Sequence, residues 1–244
     1  ILYDIALAGD SCYIAAGYTK SMGAGEKDAW LILVDFSGNL QWSRAFGTSE
    51  SEVAYSVAAL RNGGFALAGG GGGNFYIVVT DENGIGRNAR SYDNGGHEIA
   101  RALIESFEGG FLLAGSTMGS GNYQSDIWLV RTDLAGEEVW TFKIEGEDND
   151  SAWDIVEPET GGYIILGNTM SSGSGMYDPA LYRIDPWGNI IWEIYAGDSL
   201  WNTGSGLSMD PEGNLFFAGR TESVENGLFS AWLVHTSAED LLNW

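Results

Sequence analysis

An all-β fold built from five repeated units is predicted here, and three observations predict it. First, tryptophans recur at Trp42, Trp140, Trp192 and Trp244, the last three 52 residues apart, and Asn88 divides the first gap into 46 and 52 residues. Second, other columns keep the same spacing. Third, glycine is 36 of 244 residues and proline only 4, which suits short strands joined by tight turns better than helices. A fixed period of this length marks a repeat architecture.

The columns phase the chain. Gly17, Gly69, Gly115, Gly167 and Gly219 each close an apolar run: CYIAAG, FALAG, FLLAG, YIILG and LFFAG. Asp35, Asp81, Asp133, Asp185 and Ser237 precede the tryptophan column by seven residues. Trp30, Tyr76, Trp128, Ala180 and Trp232 come five residues earlier still. Ile5, Val57, Leu103, Ile155 and Leu207 form a wholly aliphatic column. The second unit is six residues shorter than the others.

Each unit reads as four strands. In the third unit they fall near Ala100–Glu105, Phe111–Ser116, Ile127–Thr132 and Glu137–Ile144. These segments are rich in β-branched and aromatic residues and are bounded by glycine and polar turns. The first-to-second connections are tight (RNGG, FEGG, ETGG, PEG), and so are the third-to-fourth ones (DFSGN, DENG, DLAGE, DPWGN). Asp and Gly there meet the demands of hairpin turns, so the acidic column is read as turn chemistry.

Tight turns require antiparallel neighbours, which sets aside a parallel β-solenoid. Five small sheets must bury their faces on one another, and radial packing does this. The prediction is a single domain, a five-bladed β-propeller of four-stranded antiparallel blades, with blades near 1–48, 49–94, 95–146, 147–198 and 199–244. A larger ring, of which this is a part, is the alternative. The start on a first strand and the end on a fourth-strand tryptophan are read as a whole number of units.

The pattern of apolar strand, glycine, strand ending in Asp, then G-x-x-x-W resembles the tryptophan-containing repeats of quinoprotein-like β-propellers. It is closer still to uncharacterised repeats of secreted bacterial and archaeal proteins, of the form GGY-apolar-AG-x-T, D-x-W-L-V, GN-x-x-W. The resemblance implies blades ordered from an innermost first strand to an outermost fourth strand carrying the tryptophan. No residues here match the metal-and-cofactor site of the quinone enzymes.

Composition narrows the function. The net charge of -23 argues against nucleic-acid partners and anionic membrane surfaces. The single cysteine, Cys12, is read as a buried inert thiol, and no apolar run is long enough to span a membrane. A secreted, periplasmic or cell-surface protein is expected, as one part of a larger extracellular protein or alone.

The tight turns should share one face of the disc, and the long second-to-third and inter-blade loops the other. Functional loops are expected on that second face. The second-to-third loops end at Asp28, Asn74, Asp126, Asp178 and Ser230, whose acceptors can fold back on loop amides. Tyr123 and Tyr177 are offered by two of these loops. Direct Ca²⁺ ligation is the lesser reading of the residues that end these loops, and Glu147, Asp148 and Asp150 form the densest acidic cluster, a second place where Ca²⁺ is considered; otherwise no cofactor is expected.

The column Tyr3, Tyr55, Arg101, Trp153 and Ser205 varies at the start of each innermost strand, near one mouth of the central channel. His97 approaches the same region, and Trp201 is expected to overhang it. These residues make a plausible seat for a sugar or a peptide terminus. The reading is a non-catalytic module that binds a glycan or a protein. The alternative is a glycoside hydrolase using Asp4 and Asp154, or Glu105 and Glu157, as paired carboxylates. Packing of neighbouring blades is the expected role of the tryptophan row, with Asn88 as its weak point.

Overall fold

A computed structural model describes residues 1–119, 124–174, 176–222 and 227–237. Tyr123 and Trp244 lie outside the described residues. The first blade is β1 (Leu2–Ala8), β2 (Cys12–Thr19), β3 (Asp28–Asp35) and β4 (Leu40–Phe46). The second is β5 (Glu52–Ala59), β6 (Phe65–Gly71), β7 (Asn74–Thr80) and β8 (Gly86–Tyr92). The third is β9 (Gly96–Glu105), β10 (Phe111–Gly119), β11 (Ser125–Thr132) and β12 (Glu138–Ile144). The fourth is β13 (Asp150–Val156), β14 (Tyr163–Thr169), β15 (Asp178–Ile184) and β16 (Ile190–Tyr195). The fifth shows β17 (Asn202–Met209), β18 (Leu215–Glu222) and β19 (Phe229–Thr236) among the described residues. Strands within each sheet follow chain order and pair antiparallel. The five blades are arranged as a β-propeller, with the first strand of each innermost.

The acidic column is turn chemistry. Asp35 Oδ1 accepts from the Ser37 and Asn39 amides, and Asp185 Oδ1 from those of Trp187 and Asn189. Asp81 and Asp133 repeat the arrangement. The turn also needs a left-handed residue, which Gly136 supplies at φ 78° in the third blade. In the shortened second blade, Gly72 and Gly73, both at positive φ, convert the missing loop into a two-residue hairpin.

Long loops are zipped to one another. Lys27 bridges Ser51 and Tyr177 bridges Trp201, each pairing a second-to-third loop with the following inter-blade loop. The Glu52, Glu98 and Asn202 amides donate to Lys27, Gly73 and Tyr177 carbonyls. This places both kinds of long loop on one face. Within the third blade, β9 and β10 pair with each other beyond their expected ends, to Gly96 and Gly119.

Four apolar cores join consecutive blades. One packs Ile14, Ala16, Ala29 and Leu31 of the first blade on Ala54, Val57, Leu67 and Val78 of the second. Equivalent sets join the second to the third, the third to the fourth and the fourth to the fifth. No such core joins the fifth blade to the first among the described residues.

The tryptophans serve these interfaces. Trp42 lies against Phe65 of the second blade, ring centroids 5.7 Å apart. Trp140 Nε1 donates to the Pro186 carbonyl of the fourth blade at 3.1 Å, beside Gly188. Asn88 itself brings no ring to the interface that follows it. Two turns of the pleat further on, Tyr92 is buried in the second-to-third core and its hydroxyl donates to the Gly136 carbonyl at 2.7 Å. It does for that interface what tryptophan does elsewhere. Cys12 is half-buried rather than buried.

Trp140→Ala should remove an inter-blade ring and its hydrogen bond. We expect a loss of about 3 kcal/mol in chemical denaturation, with the far-UV spectrum retained; an unchanged midpoint would contradict the packing role.

Candidate functional site

The site is made by one recurring irregularity. In every innermost strand the ladder slips by one residue, between Leu2 and Asp4, Ala54 and Ser56, Ala100 and Ala102, Ala152 and Asp154, and Gly204 and Gly206. The extra residue of each β-bulge is Tyr3, Tyr55, Arg101, Trp153 or Ser205, the variable column. A bulge re-aims its side chain, and these five all turn to the axis.

In four of the five blades the glycine column lies hard against the bulged strand, while at Gly167 a Cβ would stand 3.3 Å from the Ser151 carbonyl oxygen. A Cβ at Gly69 would overlap the Val53 carbonyl oxygen, one at Gly115 that of Ile99, and one at Gly219 that of Thr203. Gly17 stands in the same relation to Ile1. Only a residue without a side chain lets the second strand approach the displaced backbone so closely.

The bulge residues line a cavity of about 420 Å³, together with Asp4, Ser56, Ala102 and Asp154. Tyr3 and Tyr55 rings are 4.9 Å apart between centroids. The Arg101 guanidinium carbon lies 4.4 Å from the Trp153 ring centroid and 5.6 Å from that of Tyr55. These are cation–π distances. Among the described residues Arg101 is the one cation lining the cavity. It has no ion-pair partner among the described residues, and its Nε is buried without a hydrogen-bond partner. Burial lowers its pKa from the ordinary arginine value, partly offset by Tyr55.

The neighbouring column is structural. Asp4 Oδ2 accepts from the Val57 amide at 2.8 Å and from the Ser56 hydroxyl at 3.1 Å. Ser56 Oγ accepts from the Leu103 amide at 3.2 Å, and Asp154 Oδ2 from the Leu207 amide at 2.7 Å. Each such acceptor latches its own innermost strand to the next blade. Glu105 and Glu157 act alike at the other end, accepting from the Arg61 and Phe107 amides of preceding blades. This latch was missed in the sequence; its signal is a polar residue just before the aliphatic column. Desolvation raises the Asp154 pKa to about 6, opposed by the amides of Leu207 and Ile155, with a smaller push from Asp4.

Not every expected residue comes to the mouth. His97 stands opposite Met118 in the β9–β10 ladder, outside the cavity. Trp201 does not overhang the channel. It stacks on Tyr177, centroids 5.0 Å apart, inside the loop zipper. Two carboxylates of the acidic cluster are engaged by amides and a hydroxyl, and Glu147 is held through its backbone. Asp150 accepts from the Met170 amide and the Ser171 hydroxyl, Asp148 from Asn149, and the Glu147 carbonyl from Gln124. No three His, Cys, Asp or Glu side chains converge as a metal set among the described residues.

A larger cavity, about 590 Å³, opens on the tight-turn face beside Trp192. Three of its polar side chains are engaged: Glu157 holds Phe107, Arg183 donates to the Tyr163 carbonyl, and Asp210 holds the Asn214 amide. The channel cavity, with an unpaired cation among aromatic rings, is the better candidate.

No protein-family model and no curated protein matches this chain. Solved structures do. The Neurospora crassa Pan2 WD40 domain has a TM-score of 0.64 at 10% identity, over 98% of this chain and 63% of that one. Domains 1–2 of the Drosophila Semaphorin 1b extracellular region give 0.62 at 10% identity, over 99% and 53%. A Xanthomonas campestris gluconolactonase gives 0.51 at 12%, over 92% and 69%. The chain thus spans between about half and two thirds of the first two. At these identities the likeness shows the fold: this is a repeat β-propeller.

Asp154 gives a pH test. Its folded pKa lies above the unfolded value, so the native state binds more protons between about pH 4 and pH 6, and stability falls as pH rises through that window. The contribution is about 2–3 kcal/mol. Denaturation of Asp154→Asn at pH 4 and pH 7 should show a smaller loss between the two than the wild type; equal losses would remove Asp154 as the source.

Proposed function

We propose that this propeller is a non-catalytic extracellular binding module, and that its ligand is a glycan bearing a single acidic sugar, seated in the channel cavity. The observation that carries the reading is Arg101, a desolvated cation without a carboxylate, set between Tyr55 and Trp153. A carboxylate is the group that satisfies a guanidinium fork, and aromatic faces suit the apolar faces of a sugar ring. The cavity is of monosaccharide size. A surface of net charge -23 repels polyanions at long range, whereas one carboxylate meets Arg101 at contact. Secretion or surface display fits such a ligand and the acidic composition.

The hydrolase alternative would use Asp4 and Asp154. The raised pKa of Asp154 favours it. Against it, both carboxylates already hold backbone amides of the next blade, so neither is free to shuttle protons without loosening the latch.

A panel of acidic-sugar-terminated and neutral oligosaccharides tests the reading, with product release followed in the same wells. Binding should be confined to acidic members and fall about 10- to 100-fold in Arg101→Gln at unchanged thermal midpoint. Equal binding of neutral sugars, or indifference to Arg101→Gln, would contradict it. Capture of free C-terminal peptides through Arg101 would keep the carboxylate and replace the sugar. Turnover lost in Asp154→Asn would establish the hydrolase.

A further inference from the structure

The aliphatic column is buried wherever a preceding blade covers it. Val57, Leu103, Ile155 and Leu207 are between 4% and 8% exposed, but Ile5 is 60% exposed. The opposite face tells the same story. Leu31, Ile77, Leu129 and Leu181 are between 0% and 4% exposed, while Leu233, at the same place in the fifth blade, is 70% exposed. These two columns meet at each of the four packed interfaces. At the fifth they stand apart. Leu7 is also exposed on the first face, and Ala218 is open beside Leu233.

We propose that the five blades form an arc, and that the gap between the fifth blade and the first is filled by at least one further four-stranded blade of this same repeat. The occupant follows from the established interfaces. The open face of the first blade presents the aliphatic column that elsewhere packs on a preceding blade. The open face of the fifth presents the leucine column that elsewhere receives a following one. A blade of this repeat carries both complements, one on each side, so it continues the packing in both directions. Neither column carries a charge to attract a polar partner. An apolar strip of this kind is costly to leave in water. The added blade would set a further bulge residue between Ser205 and Tyr3 on the channel wall.

The test uses the 244-residue chain and the same chain with a copy of residues 95–146 fused after Trp244. In the 244-residue chain, Ile5→Asp and Leu233→Asp should each move the thermal midpoint by less than about 2 °C, while Val57→Asp lowers it by about 10 °C or more. In the fused chain the copy should resist protease, and Leu233→Asp should now cost as much as Val57→Asp. Three results would overturn the proposal. Ile5→Asp or Leu233→Asp as costly as Val57→Asp in the shorter chain would mean that the five blades close on themselves. A dimer of that chain abolished by Ile5→Asp would assign the faces to a second copy. A fused copy that stays protease-sensitive and leaves Leu233→Asp neutral would show that a blade does not fit.

Discussion

A one-residue bulge in each innermost strand, packed in four of the five blades against a glycine that meets a carbonyl, is the feature on which the rest of this propeller depends. Where Gly69 meets Val53, and Gly115 meets Ile99, the innermost strand gains one residue and changes the direction of its side chains. Three consecutive residues then do three different things. In the second blade Tyr55 turns to the axis, Ser56 bonds the Leu103 amide of the next blade, and Val57 packs on the preceding one. Wall, latch and core are thus set by one irregularity repeated in every blade.

That division of labour explains why the bulge column varies while the aliphatic column does not. A side chain at the axis is not needed to hold blades together, so it is free to differ: two tyrosines, an arginine, a tryptophan and a serine. The latch column needs an acceptor, and it tolerates gaps at Ala102 and Gly206 because the apolar cores carry most of the adhesion. Arg101 stands out in this setting. The rest of the molecule is strongly acidic, yet this cation in the cavity is desolvated and stacked against rings.

Much of this was legible in the sequence because repetition converts weak local signals into columns. The strands, the hairpin turns at Asp35 and its equivalents, the packing role of Trp42 and Trp140, and the variable column at the channel all follow from spacing and residue type. What depends on contacts across blades did not. Trp201 is sequence-adjacent to the channel but is drawn to Tyr177 by the loop zipper. Tyr92 rescues the interface that lacks a tryptophan from a position four residues beyond Asn88, outside the column. The uncovered faces at Ile5 and Leu233 are invisible to periodicity, since the columns there look like all the others. Burial is a property of the neighbour, and spacing says nothing about whether a neighbour is present.

The glycine contact is tested most directly by Gly115→Ala, which adds one methyl group against the Ile99 carbonyl. The account predicts that the strand pair must separate, with the thermal midpoint falling by about 5 °C or more and the near-UV signal of the Trp153 environment changing. A variant with unchanged midpoint and spectrum would contradict it, because the third-blade bulge would then tolerate a side chain where Gly115 meets the Ile99 carbonyl.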